Sequence, residues 1–356
     1  MGQGAIVAYP ADDGFFMPAE WAPHGRCWME WPCRVELWGD RIEAARQAYS
    51  EVAEAIARFE PVTMITKPKN VAEVSLLTAA GINAFSLPHD DSWMRDNGPT
   101  FVVDGRGNVA GIDWQWNAWG NKYPDHQRDA AVAEAVLAHL GMRRYAAPLV
   151  MEGGAIHVDG EGTLITTESC LLNPIRNPGM TRADVEGLFA RYLGIAKVIW
   201  LGGGIEDDDT DGHVDEIACF ARPGVVLALV SSDASDGNHA ALSENLARLR
   251  AARDAKGRAL EIVEIEQPGR RSLADGRRAS LSYINFYVAN GGVVMPAFED
   301  PQDKRAYEAL HRVFPDRQVV QVPAIDIVQG GGGIHCITQQ QPAGTPATPL
   351  PPPPEA

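Results

Sequence analysis

Apolar and polar positions along the chain follow two periods in a repeating order. Residues 41–59 place apolar side chains three and four apart, the spacing of an amphipathic helix, and residues 62–66 form a short run with the look of a strand. The next stretch has apolar runs at 100–103 and 109–114 around Asp104-Gly105, then a helical pattern over 128–140. Runs at 155–158 and 163–167 flank Asp159-Gly160 and lead to a helix at 182–193 and a strand at 197–201. Runs at 217–220 and 225–230 flank Arg222-Pro223-Gly224, ahead of a helix at 240–255 and a strand at 260–265. Runs at 283–289 and 293–296 flank Asn290-Gly291-Gly292, ahead of a helix at 302–313 and a strand at 318–322. Asp-Gly and Asn-Gly between apolar runs are hairpin turns. The pattern is five hairpin–helix–strand units of roughly 60 residues, and such repeats build closed or stacked architectures. A last short run, Ile337-Thr338, begins what would be a sixth unit and is a partner for the first strand. The expected fold is an α/β propeller with a polar centre where the strand starts converge. Residues 1–341 are expected to form one catalytic domain. Residues 342–356, rich in Pro, Ala and Thr, are expected to be a disordered tail.

Composition narrows the function. The 356 residues are 45% hydrophobic and 22% charged, as in ordinary soluble proteins. A net charge of -16 argues against a nucleic-acid partner and suits a small cationic substrate. No run of eighteen apolar residues offers a membrane span, and residues 1–16 do not read as a secretory signal. The five cysteines, Cys27, Cys33, Cys170, Cys219 and Cys336, are scattered and lack zinc-type spacing. A reduced, metal-free, cytoplasmic protein is therefore expected, with no cofactor. A symmetric homo-oligomer is the usual state of a soluble enzyme of this size.

The chemistry gathers at the starts of the units. Gly330-Gly331-Gly332-Gly333-Ile334-His335-Cys336 sets a thiol behind four glycines, which suit a backbone that bends sharply and approaches something closely. Asp96 opens the second unit, Glu152 the third, and His213 and Asp215 the fourth. Arranged about an axis, these positions bring together one thiol, one imidazole and three carboxylates. An imidazole can take a thiol's proton or stabilise its charge, but three carboxylates raise a thiol's pKa. The conflict disappears if the substrate is a planar cation. Carboxylates bind a guanidinium bidentately, and its charge helps the thiol to ionise. Each residue also has an ordinary reading. Asp96 is in a turn-rich sequence, Glu152 fits a solvated loop, and a lone cysteine is commonly a small buried hydrophobe.

Trp93-Met94-Arg95-Asp96-Asn97-Gly98-Pro99, Glu152-Gly153-Gly154, Asp211-Gly212-His213-Val214-Asp215, residues 330–341 and Met17-Pro18-Ala19-Glu20-Trp21 together resemble the motifs of the agmatine deiminases. The resemblance covers residues 15–342. It implies the pentein fold, a five-bladed α/β propeller with pseudo-five-fold repeats around a polar channel. It implies Cys336 as nucleophile, His213 as general acid and base, and Glu152 bonded to both the histidine and the substrate. Asp96 and Asp215 would grip the guanidinium, with Trp93 as an apolar wall. The implied reaction turns agmatine into N-carbamoylputrescine and ammonia through an S-alkylthiouronium on the cysteine. Glu216 departs from the family pattern, in which a small or neutral residue, commonly Asn, follows the Asp. On a strand it would point to the opposite face from Asp215.

The alternative is a deiminase for arginine or peptidyl-arginine. Free arginine would require an Arg in the pocket for its carboxylate, and Arg95, the nearest candidate, reads better as structural. A non-catalytic pentein would be expected to lack the Cys, His and acid set, and a nitrilase-like amidohydrolase lacks a home for its lysine. His335 is expected to support Cys336 from behind. The other four cysteines and most of Trp114, Trp116 and Trp119 are expected in the core. The acidic run 206–209 is a solvated face or a contact for the substrate's amine, and the loop 119–124 is a candidate cover for the site.

Overall fold

The computed structural model describes residues 8–77, 81–273 and 275–349. Its strands are β1 (His24–Glu30), β2 (Val62–Thr66), β3 (Ile82–Ser86), β4 (Thr100–Val103), β5 (Asn108–Gln115), β6 (Arg144–Val150), β7 (His157–Val158), β8 (Thr163–Thr167) and β9 (Lys197–Leu201). They continue with β10 (Ala218–Arg222), β11 (Val225–Val230), β12 (Glu261–Glu266), β13 (Tyr287–Ala289), β14 (Gly292–Ala297), β15 (Gln318–Pro323), β16 (Thr338–Pro342) and β17 (Thr345–Pro346). The longer helices are α1 (Ile42–Ala57), α2 (Val132–His139), α3 (Arg182–Leu193), α4 (His239–Ala251) and α5 (Asp303–Val313).

The strands form five separate sheets, in the orders β16-β1-β2-β3, β17-β5-β4 with β6 beside β5, β7-β8-β9, β10-β11-β12 and β13-β14-β15. Each repeats one theme: an antiparallel pair, then a helical crossover to a parallel strand, as in β10–β11 with β11–β12 and β13–β14 with β14–β15. In the first sheet the antiparallel partner of β1 is β16, from the other end of the described chain, with Met29 opposite Thr338. Thr338, at the end of the Ile337-Thr338 run, thus opens the missing antiparallel strand of the first unit. No sheet closes on itself among the described residues.

Local rules explain the elements. The parallel strand β11 is Val225-Val226-Leu227-Ala228-Leu229-Val230, buried along nearly its whole length because other elements cover both faces. Helix α1 buries Ala45, Tyr49, Val52 and Ile56, one helical stripe. Helix α3 starts at a Thr181/Asp184 capping box and stops at left-handed Gly194. The largest apolar cluster runs from α1 through β11 and β14 to the residues around Cys336. A second gathers β6, β8 and α3. No helix among the described residues is long and apolar enough to cross a membrane.

The expected disordered tail is corrected over its described part. Pro342 ends β16, and Thr345–Pro346 pair with Asn108 and Val109 of β5. The amides of Thr345 and Ala347 donate to Gly107 and Val109 at 2.8 and 2.7 Å. The non-proline residues alternate, so every amide on the bonding side exists, and Pro346 sits where no donor is needed. The remainder of that expectation, 350–356, lies outside the described residues.

Candidate active site

In every sheet the segment leading into one strand of the antiparallel pair carries at least one polar group to a common place. Asp96 is in the short helix Met94–Asn97 ahead of β4, and Glu152 precedes the turn Gly153–Ala155 ahead of β7. His213 caps the turn Val214–Glu216 ahead of β10, and Cys336 is in the turn ahead of β16. The sequence reading missed the fifth, Asn285, ahead of β13. The run 283–289 read as one strand, but only Tyr287–Ala289 is paired. A polar residue early in that run, at the same place in the repeat, was the available signal.

Backbone bonds tie the lead-ins together. Arg95 N–H donates to the Cys336 carbonyl (3.1 Å), and Gly154 N–H donates to Asp96 Oδ1 (3.0 Å). His335 N–H donates to Asn285 Oδ1 (2.8 Å). The glycine run has a steric cause. A Cβ on Gly332 would lie 2.6 Å from the Trp93 ring and 3.1 Å from the Cys336 Cβ, and one on Gly333 would lie 2.4 Å from Asn285 Oδ1.

The Cys336 sulfur accepts from Asn285 Nδ2 at 3.2 Å and lies 3.6 Å from Asp215 Oδ2 and 3.9 Å from Glu216 Oε1. His213 is completely buried between carboxylates, with Nδ1 3.7 Å from Asp96 Oδ1 and Nε2 3.6 Å from Glu152 Oε2. The five residues expected at the site from sequence are therefore brought together, all buried. Glu216 is a correction. It is not on a strand pointing away; it sits in the turn Val214–Glu216, whose tight winding brings both acids to the thiol's side, and it is buried.

Glu152 has two further partners absent from the sequence reading. Arg176 Nε donates to Oε1 at 2.8 Å, with its other nitrogens on Asp211 and the Thr210 carbonyl, and the Cys170 sulfur lies 3.7 Å from Oε2. Cys170 is buried as expected, but beside the site. Nothing in the isolated segment Asn173-Pro174-Ile175-Arg176 flags that arginine.

The charge states follow from these contacts. Burial pushes the Cys336 thiol well above its usual range, and Asp215, Glu216 and Asp96 push it further. Burial opposes a charged His213, yet Asp96 and the Cys170 and Glu152 contacts outweigh it, and the imidazole is held well above its usual pKa. Burial would raise Glu152, but His213 and Arg176 hold it down at about 2. Burial carries Asp96 up to about 6 despite His213. Asp215 is lowered in spite of burial, chiefly by the His335 hydrogen bond, whereas burial and Asp215 raise Glu216 well above the carboxylate range. The free site is a neutral thiol and a neutral Glu216 beside an imidazolium.

A pocket of about 400 Å³, its open mouth included, leads down to Cys336 and Asp96. Trp93, Trp119 and Tyr123 supply apolar walls, and Lys122, Asp209, Thr210 and Gly330–332 complete the lining. Trp119 is not plain core: its indole N–H donates to Asp96 Oδ2 at 2.9 Å. Its loop is strained into the left-handed region at Ala118, Trp119 and Asn121, with φ of 51°, 54° and 63°. Of the acidic run, Asp209 lines the pocket, paired with Arg277, and Asp208 braces the turn to Gly212 through Thr210. Arg95 faces elsewhere, donating to the His335 carbonyl and Gln340. Among the described residues, three groups of possible metal ligands lie within 4.8 Å: Glu20-His157-His335, Glu152-Cys170-His213 and Asp215-Glu216-Cys336. In each, an imidazole or guanidinium already faces a carboxylate.

Residues 16–342 match the family described as Porphyromonas-type peptidyl-arginine deiminase. The agmatine deiminase of Stutzerimonas stutzeri strain A1501 is 46% identical over 361 residues, an alignment covering 95% of this chain and 98% of that one. The agmatine deiminase of Pseudomonas aeruginosa strain LESB58 is 45% identical, covering 94% and 97%. The solved structure of Enterococcus faecalis agmatine deiminase superposes with a TM-score of 0.90 at 34% identity, covering 95% of this chain and 98% of that one. With the α/β fold, the gathered thiol, imidazole and carboxylates, and this similarity along nearly the whole chain, the protein belongs to the Porphyromonas-type peptidyl-arginine deiminase family and groups with its agmatine deiminases.

Proposed function

We propose that this chain hydrolyses agmatine to N-carbamoylputrescine and ammonia, with Cys336 as nucleophile and the five sheets set as blades around the shared polar centre of one domain. The observation that carries the reading is the thiol at the foot of a narrow aromatic pocket, among carboxylates that a bound guanidinium would neutralise. Asp96 and Asp215 hold the planar cation from two sides, and Trp93 and Trp119 flank its tetramethylene chain. The guanidinium charge offsets the carboxylates that keep the thiol neutral, so sulfur releases its proton to solvent when substrate is present and attacks the central carbon, and it regains a proton when the urea departs. His213, an imidazolium held by Asp96 and Glu152, protonates the departing ammonia. The neutral imidazole then takes a proton from the water that hydrolyses the S-alkylthiouronium, and the thiol is restored.

Agmatine is favoured over arginine by the pocket lining. Among the described residues no arginine lines it, and Lys122 is engaged by the Asp209 carbonyl and Asp211. The test is ammonia release from agmatine, arginine and a peptidyl-arginine offered separately. Turnover of agmatine alone supports the reading; preferred turnover of either arginine substrate overturns the substrate assignment.

A further inference from the structure

Behind Cys336, in a cavity that shares no lining residue with the substrate pocket, a second histidine is clamped between two carboxylates. His335 Nδ1 donates to Asp215 Oδ2 at 2.8 Å, and Nε2 donates to Glu20 Oε2 at 2.9 Å. Glu20 is itself anchored, since Val288 N–H donates to its Oε1 at 2.9 Å. His157 completes the anchor. Phe220 N–H donates to its Nδ1 at 3.2 Å, so the ring proton is on Nε2, which faces Glu20 Oε2 at 3.7 Å. The line from β13 through Glu20 and His335 ends at Asp215, whose Oδ2 also lies against the Cys336 sulfur. Asp215 Oδ1 is buried and has no hydrogen-bond partner.

We propose that His335 is a positioning residue: bridging Glu20 and Asp215, it fixes the Asp215 carboxylate so that Oδ1 is presented to the substrate guanidinium. The inference rests on the reading above, in which Asp215 grips that group. A buried carboxylate with one free oxygen would rotate toward any donor it could reach. A donor fixed on the other oxygen removes that freedom before substrate arrives, and pre-set geometry is what makes a guanidinium clamp effective. The charges facing His335 are Glu20, Asp215, Arg95 and His157, with Cys336 adjacent in the chain. The two carboxylates outweigh burial and Arg95, so the ring carries its proton and both nitrogens can donate.

The test measures agmatine binding by calorimetry in a Cys336→Ala background, where no turnover occurs, with a thermal melt of each variant. Adding His335→Ala should weaken binding by about ten- to a hundred-fold, the factor for losing a charge-assisted hydrogen bond. His335→Gln, whose amide can still donate to Asp215, should recover part of it, and Glu20→Gln should weaken binding less than His335→Ala. Unchanged binding in folded His335→Ala overturns the inference, as does a lowered melting temperature with affinity intact. If His335→Ala does not fold, His335→Gln and Glu20→Gln decide by the same criterion. Asp215→Asn in the same background separates the two levels. If it also binds agmatine normally, the guanidinium assignment itself fails; if it loses binding while the His335 variants keep it, only the bridge fails.

Discussion

Gly154 is where three groups of the proposed mechanism press on a residue that has no side chain. A Cβ built there would lie 2.5 Å from His213 Nδ1 and 3.0 Å from both Asp215 Oδ2 and Asp96 Oδ1. Its backbone is not in the left-handed region, so alanine is forbidden only by this crowding. Cβ contacts under 3.0 Å are essentially never seen, so Gly154→Ala must drive the imidazole back by at least about 0.5 Å, or tilt the turn that carries Asp96. His213 has little room to retreat, because Glu152 closes its far side at 3.6 Å and is fixed by Arg176 at 2.8 Å. A misplacement of about 1 Å in a catalytic group costs about a hundred-fold in rate, so kcat/KM for agmatine is expected to fall by about 30- to 300-fold. The loss should lie mainly in kcat, because the displaced group is the proton donor. Overpacking should cost about 1–3 kcal/mol in urea unfolding. Gly187, within α3, has nothing within 4 Å of its ideal Cβ. Gly187→Ala is therefore the control, expected to keep full activity and to gain about 0.5–1 kcal/mol. The measurement is steady-state ammonia release across a range of agmatine concentrations. A Gly154→Ala enzyme within three-fold of wild type in kcat/KM would mean that the three groups need not meet in this geometry.

Other consequences follow from the charge pattern. Asp96, raised to about 6 by burial, must ionise to hold the guanidinium, so kcat/KM should fall as pH drops through about 6; a profile flat down to pH 5 contradicts that role. In stability the sign is opposite. Between its ordinary value and about 6 the unfolded chain ionises first, so this group's contribution declines as pH rises through that window. Asp96→Asn should lose activity, and near-wild-type ammonia release from agmatine by the folded variant contradicts the role. Arg176 and Glu152 are both fully buried, and Arg176→Met strands the carboxylate, at an expected cost of about 3–5 kcal/mol in denaturant unfolding; less than about 1 kcal/mol contradicts the pairing. Glu152 is depressed to about 2, so its stability contribution is present above its unfolded pKa and is lost as pH falls from there toward about 2. The Cys336 thiol, raised by burial and its acidic neighbours, should be alkylated by iodoacetamide at a rate still climbing at pH 9; a plateau below pH 8 would indicate a thiolate in the free enzyme.

What could be read from the sequence was what repeats. Strands such as β2, β8, β9 and β11 fell where the apolar runs lie, because each is a short buried strand bounded by turn residues. Unit starts pointed to Asp96, Glu152, His213, Asp215 and Cys336 because these polar residues fall just ahead of the apolar runs, at the same place in successive repeats. Glu216 was misread because strand alternation was assumed where the chain makes a tight helical turn, and turn geometry there depends on contacts with other units. Arg176 and Cys170 reach the site through short segments whose course is set by tertiary packing, and no local pattern announces them; for Trp119 the candidate cover 119–124 was named, but not its bond to Asp96. Asn285 was recoverable from the repeat alone. The edge pairing of Thr345–Pro346 was hidden because composition alone read as disorder, while two well-spaced amides suffice for a short strand.

The most direct test of the account is to quench the enzyme in acid during turnover of agmatine and locate any added mass by proteolysis and mass spectrometry. An adduct equal to agmatine less ammonia is expected on the peptide carrying Cys336, forming and decaying with turnover and absent from Cys336→Ala, which releases no ammonia. An adduct on another residue, or ammonia released by folded Cys336→Ala at the wild-type rate, would contradict it.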